Sequence, residues 1–317
     1  MVSRRLCLGV LAFALGCREP LDDNLSRIEG PRVLAVRASP AEAAPGEEVE
    51  YEILYVDENG DLDASSLGWG FCLARKPLDE LGPVHEACLT GGDTVNIVPI
   101  GAGPSVSAAL PDDGCRLFGP DRPPPVEGQP AGRPVDPDST GGYYQPLRIS
   151  STPVTIAATR IACGLAGARP EVMTEFAKRY RRNENPAVLR AWAEQTEQTP
   201  KDRIVVETST EVTLAVEWED CGGADEPCTG SEPYVYFDPE SRSIVDRREA
   251  IRISWATTRG SFAFDHTGRS EEEAESARSE NTWSSPSEAG DATVYIVIRD
   301  DRGGVGWRRF HFDVVEP

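Results

Sequence analysis

The chain has 317 residues, with 53 Asp and Glu against 32 Lys and Arg and a formal charge of −21. That charge repels phosphate backbones and anionic lipid surfaces, so nucleic-acid binding is excluded and no general basic surface is left to hold the chain on a membrane.

The chain opens "MVSRRLCLGVLAFALGC". Arg4 and Arg5 precede an apolar core over 6–15. This core is shorter than the about 20 residues a membrane span needs, and it reads as an export signal. Ala14, Leu15 and Gly16 run directly into Cys17, which resembles the lipobox of bacterial lipoproteins, with Ala14 where Leu is commoner. The resemblance implies that residues 1–16 are a signal peptide and that Cys17 takes a diacylglycerol and becomes the N-terminus. It also implies the outer membrane, on either face, because Arg18 follows the Cys where Asp would mark inner-membrane retention. Loss of Arg4 and Arg5 takes the charge from −21 to −23. Attachment is therefore expected through the acyl chains of Cys17, and two or more chains suffice. Residues 17–31 are polar and aperiodic, a lipid-anchored tether that reaches at most about 50 Å.

Residues 32–169 read as an immunoglobulin-like β-sandwich. In 48–55, Val49, Tyr51, Ile53 and Tyr55 alternate with Glu48, Glu50 and Glu52, the pattern of a half-buried antiparallel strand. Further strands are predicted over 69–74, 94–98, 105–110 and 152–163. "DENGDLD" sets Asp57, Asn59, Asp61 and Asp63 at alternate positions, like the opening of a calcium loop. Gly60 and Gly68 stand at the wrong places for one, and a solvated turn is the expected reading, with no metal assigned. Residues 116–146 are rich in Pro and Gly and read as an irregular insertion, either disordered or functional.

Residues 170–200 are read as two short helices. Pro170 opens the first, with Met173, Phe176, Ala177 and Tyr180 as its apolar stripe. Pro186 opens the second, with Val188, Leu189 and Trp192 as its buried face. Lys178, Arg179, Arg181 and Arg182 form a basic cluster, expected to be a solvated face neutralised by nearby acids. Residues 201–317 alternate again at Val212, Leu214, Val216 and Trp218, at Ile251, Ile253 and Trp255, and at Val294, Ile296 and Ile298. After a Gly-containing turn the alternation resumes at Phe310, Phe312 and Val314, a closing hairpin. The acid-rich 270–281 is expected to be a solvated loop.

Trp255, Gly260, Trp283, Pro286, Asp300, Gly303 and Gly304 follow an order that resembles bacterial immunoglobulin-like and PKD-like modules. The whole chain is similar to acidic lipoproteins of gliding soil bacteria. The fold expected is all-β dominated: two immunoglobulin-like antiparallel β-sandwiches with a short helical segment between them.

Cys7 leaves with the signal and Cys17 is expected to be lipidated, so Cys72, Cys88, Cys115, Cys163, Cys221 and Cys228 remain. An even number in an exported chain implies three disulfides, and among 15 possible pairings nearest neighbours are expected. A zinc site has no CxxC spacing and no nearby His to support it. The three histidines, His85, His266 and His311, sit in no catalytic motif. The function expected is non-catalytic: binding or scaffolding in the cell envelope, with a protein or glycan partner and no cofactor. Two alternatives stay open, an envelope hydrolase with a loop-built site at the domain junction and a carbohydrate-binding module. The binding residues expected are Tyr143, Tyr144 and Gln145, with one Tyr and Gln145 presented outward on a loop braced by a Cys115–Cys163 bridge; the competing and favoured reading is that both rings clamp the insertion onto the first sandwich.

Overall fold

The computed structural model describes residues 25–76, 84–90, 95–119, 141–165, 168–222, 228–238, 240–273 and 276–317. Cys17, the signal and most of the tether, together with residues 120–140 of the insertion, lie outside the described residues.

The protein is two immunoglobulin-like β-sandwiches. In the first, Glu48–Asp57 is central to a sheet that also holds Arg32–Ser39, Gly60–Asp61 and Ser105–Ala109. The facing sheet runs Glu42–Ala43, Thr155–Ala162, Gly142–Ile149, Gly68–Cys72, Ile97–Ala102. Val49, Tyr51, Trp69, Phe71, Leu147 and Ile161 fill the space between them. In the second sandwich, one sheet runs Thr196–Glu197, Arg190–Ala193, Glu211–Glu217, Arg278–Ser284, Ser261–Phe262. The other runs Arg203–Glu207, Val305–Val315, Gly290–Arg299, Ile251–Thr257, His266–Arg269. The alternating residues of both sheets meet in its core around Trp255, Trp283 and Phe312. Pairing is antiparallel except at two outer strands, 42–43 on 160–161 and Arg203–Glu207 on 311–315. The disulfides are Cys72–Cys88, Cys115–Cys163 and Cys221–Cys228, the nearest-neighbour set.

Five expectations are corrected. The second helix does not form: Arg190–Ala193 is a strand of the second sandwich, paired with Glu211–Glu217. Its alanines suit a helix, but Ala191 and Ala193 are buried in the sandwich core and that packing overrides propensity. The helix Pro170–Arg179 does form, yet it buries Val172 and Phe176 while Met173 is exposed. Those two residues pack on Val235 and Phe237 of the hairpin Pro233–Asp238/Ser243–Arg248. The ends of the 116–146 insertion are regular, in the helix Gly114–Phe118 and the strand Gly142–Ile149. The acid-rich 270–281 ends in strand Arg278–Ser284.

The fifth correction concerns the tether. Ile28 is fully buried, its N–H donates to the Thr257 carbonyl (2.9 Å), and the Thr257 N–H donates to the Ser26 carbonyl (2.8 Å). Residues 26–28 thus extend the second sandwich before the chain enters the first. Burial in Glu48–Asp57 reflects the same joining. The predicted alternation stops at Leu54 and Val56, both buried, because this half of the strand is covered on both faces. Ile28, Ala35, Leu54 and Val56 pack there against Ala256, Tyr295 and Val297 of the second sandwich.

Candidate functional site at the junction of the sandwiches

The turn between Gly290–Arg299 and Val305–Val315, residues 300–304, was legible as a hairpin. Its destination was not. It inserts between the sandwiches, and Arg302 is buried there. Arg302 Nε donates to Glu249 Oε1 (2.6 Å), Nη2 to Glu232 Oε2 (2.9 Å) and Nη1 to the Arg181 carbonyl (3.0 Å). Glu249 Oε2 accepts from the Glu232 N–H (3.1 Å), and Glu232 Oε2 from the Glu184 N–H (3.0 Å). Asp300 shapes the turn, with Oδ1 accepting from the N–H groups of Arg302 (2.9 Å) and Gly304 (2.7 Å). Gly303, at φ +103°, occupies the left-handed region that favours glycine.

The network continues into the first sandwich. Asn183 Nδ2 donates to Asp300, while the Asn183 N–H donates to Glu42 Oε2 (3.0 Å). Buried Glu42 accepts from Arg160 Nε (3.1 Å) and from the Tyr180 hydroxyl. Arg160 Nη1 donates to the Tyr144 hydroxyl (3.2 Å), which itself donates to the Arg302 carbonyl (3.1 Å). Asn185 holds both sides, donating to the Ala38 carbonyl (2.7 Å) and accepting from the Val305 N–H (2.9 Å).

Burial pushes the Glu249 carboxyl well above its ordinary value, with Asp300 adding to the shift against the pull of Arg302. Burial also raises Glu232 and Asp300. Burial opposes the charges of Arg160 and Arg302, yet their anionic and phenolic neighbours hold both above the ordinary guanidinium value. Three acids with raised proton affinity thus surround Arg302.

The expected binding residues are placed as follows. All three lie on the strand Gly142–Ile149 and not on a loop. Tyr143 and Gln145 are buried, on the parity of the core residues Leu147 and Ile149. Gln145 Nε2 donates to the carbonyls of Cys72 (2.8 Å) and Pro146 (3.0 Å), and its Oε1 is buried without a partner. The outward presentation of Gln145 is therefore corrected. Only Tyr144 is exposed (39%), and its hydroxyl belongs to the junction. The sequence missed Arg302, Glu249, Glu232, Glu42 and Arg160, which look like surface charges when read along a strand or turn.

Elsewhere the acids of "DENGDLD" bind protein groups. Asp57 Oδ1 accepts from the Asn59 N–H, Asp63 from Ser65, and Asp61 from the Tyr295 hydroxyl (2.9 Å) and Arg309 (2.9 Å). No group of three or more His, Cys, Asp or Glu is placed to hold a metal among the described residues. In the basic cluster, Arg179 pairs with Glu175 and Asp246, and Arg182 with Glu47. His311 Nδ1 lies 3.4 Å from Thr293 Oγ1. His266 Nδ1 lies 3.1 Å from Ser254 Oγ, a cross-strand pair at the margin of the sheet face that packs on the first sandwich. Burial and Arg252 hold that imidazole below its usual value, and Ser254 Oγ also accepts from Arg299.

No family model matches the chain, and no curated protein matches it. Among solved structures it is similar to Escherichia coli alpha-2-macroglobulin at 10% identity and a TM-score of 0.23, covering 93% of this chain and 17% of that one. It is similar to the Yersinia pseudotuberculosis adhesin InvE at 7% identity and a TM-score of 0.22, covering 88% and 58%. Fibronectin(III)-like modules of Clostridium thermocellum CbhA match at 8% identity and a TM-score of 0.22, covering 90% and 94%. The chain spans just over half the adhesin's length and about a sixth of the macroglobulin's. At such scores these likenesses carry no argument about activity.

Proposed function

We propose that the protein is a lipid-anchored, non-catalytic binding or scaffolding component of the outer membrane. The observation that carries this reading is the pattern of Arg4 and Arg5, an apolar run over 6–15, and Leu15, Gly16 and Cys17 ahead of an acidic chain. Three disulfides support an oxidising compartment. The junction supports a structural role, because its carboxylates and guanidiniums are spent on one another and on main chain. A hydrolase there would need a nucleophile, a base and an oxyanion site converging in a pocket. The Ser254–His266 pair is instead at the margin of the sheet face that packs on the first sandwich, with Ser254 Oγ accepting from Arg299. A glycan platform needs exposed coplanar rings; the large exposed aromatics among the described residues are Tyr144 and Phe264.

The test is expression of the full chain and of Cys17→Ser in a Gram-negative host, followed by detergent phase separation and intact mass. The wild type is expected in the detergent phase carrying the acyl mass, with Cys17→Ser unprocessed or released. A wild-type chain in the aqueous phase refutes anchoring. Labelling of Ser254 by a fluorophosphonate probe refutes the non-catalytic reading.

A further inference from the structure

Residues 26–28 fix the point from which the chain runs back toward Cys17. That point is the edge of the second sandwich beside Thr257 and Asp265, where the Ser26 N–H donates to Asp265 Oδ1 (3.0 Å). Leu25 lies eight positions after Cys17, a reach of at most about 28 Å. If Cys17 is acylated, the bilayer surface lies within that distance of this edge.

The edge has the chemistry of a lipid contact. Leu25 and Phe264 flank the Ser26–Asp265 hydrogen bond and are 63% and 65% exposed. Along the same edge, Arg27 and Arg259 line a shallow polar depression of about 420 Å³ with Gly260, Ser261, Ser284, Ser285 and Glu288. Their hydrogen bonds among the described residues go to main-chain carbonyls. Arg27 Nη1 donates to Gly260 (3.3 Å), and Arg259 donates to Ala289 (3.2 Å) and Glu288 (2.9 Å). Arg32 likewise donates to the Leu25 carbonyl (3.1 Å). In a chain so rich in acids, three guanidiniums bonded to carbonyls at one edge depart from the pairing seen at Arg179, Arg182, Arg190 and Arg203. Exposed apolar side chains and arginines along one edge match the interface between acyl chains and phosphates.

We propose that this edge of the second sandwich rests on the bilayer, with Leu25 and Phe264 in the interfacial layer and Arg27 and Arg259 facing lipid phosphates. The proposal rests on the acylation of Cys17. The overall charge opposes adsorption of the free chain, so the contact forms because the anchor holds this edge at the surface.

A nitroxide on Phe264→Cys tests it, with Val205→Cys as the control. Val205 is equally exposed (65%) and lies on Arg203–Glu207, the edge strand opposite His266–Arg269 in their sheet. The acylated protein is reconstituted in phosphatidylethanolamine/phosphatidylglycerol vesicles. Collision of each label with molecular oxygen and with a water-soluble nickel chelate is then measured. The oxygen-to-nickel ratio is expected to be severalfold higher at 264 than at 205, and to fall when Arg27→Gln and Arg259→Gln are added. Equal ratios at the two positions, on protein whose mass shows acylated Cys17, overturn the proposal and leave the anchor standing. Absence of the acyl mass overturns the anchor, and this proposal with it.

Discussion

Replacing Arg302 by Met tests the junction most directly. Met fills most of the volume but strands Glu249, Glu232 and Asp300 without their shared cation. Arg302 and Glu249 are essentially inaccessible, and their ion pair is 2.6 Å long. Removing one partner of a buried pair costs about 3–5 kcal/mol, because the other charge stays buried and uncompensated. At about 2–4 °C per kcal/mol for sandwiches joined at this size, the melting temperature falls by about 6–20 °C. The pH dependence supplies the discriminating readout. The carboxyls of Glu249, Glu232 and Asp300 have folded values raised above the ordinary range. The stability they contribute is therefore present below that range and lost as pH rises through the raised values. In Arg302→Met the lowering influence of the guanidinium is gone, so these values rise further. The deficit relative to wild type is expected to shrink steadily from about pH 7.5 to about pH 5. Adding Glu249→Gln is expected to recover part of the loss at neutral pH. Calorimetry and urea melts across that range give the answer. A deficit below about 1 kcal/mol, or one independent of pH, refutes the view that Arg302 neutralises buried acids.

Three further outcomes follow from the geometry. Tyr144→Phe removes the hydroxyl between Arg160 and the Arg302 carbonyl and is expected to cost about 1–2 kcal/mol in a urea melt. No disulfide cysteine should alkylate without denaturant, and Cys→Ala pairs should destabilise in the order of loop length. Loss of Cys115–Cys163 (separation 48) is expected to cost about 4 kcal/mol, against about 2.4 for Cys221–Cys228 (separation 7). Gly306→Ala would drive a methyl group into the Pro186 carbonyl and against Ile298, so its melting temperature should fall. A tolerated Ala there would show that the start of Val305–Val315 sits more loosely against Pro186.

Much of the fold was legible because a half-buried sheet writes its period into the chain. Val212, Leu214 and Val216, or Ile251, Ile253 and Trp255, carry one interpretation. The failures share a cause, which is burial on both faces. Leu54 and Val56 break the alternation because a second sandwich covers them. Ala191 and Ala193 enter the core while Arg190 and Arg278 cover Trp192 at 4.8 and 4.5 Å from its ring, and alanines spaced this way also suit a helix. The junction was invisible for a related reason. Arg302, Glu249 and Glu232 occupy turns and strand ends, where charges ordinarily meet water, and only long-range contacts take them out of it. Tyr144 was the one expected binding residue whose side chain faces outward, since Tyr143 and Gln145 share the core parity of their strand.

The buried charges raise the question of why the junction is not simply apolar. The contact of Leu54 and Val56 with Ala256, Tyr295 and Val297 already joins the sandwiches, but apolar contact is non-directional and tolerates sliding and rotation. Ion pairs taken out of water add little net stability compared with well-packed hydrophobic side chains, yet they are satisfied in one geometry. The network therefore sets the angle between the sandwiches, which suits a protein that presents a surface at a fixed orientation. Replacing Arg302, Glu232 and Glu249 together with Met, Leu and Leu separates the two roles. The melting temperature should be unchanged or higher, while the distance distribution between spin labels on the two sandwiches broadens. A variant that melts far below wild type with an unchanged, narrow distribution would show the reverse: the charges would be there for stability, and the apolar contact would set the angle.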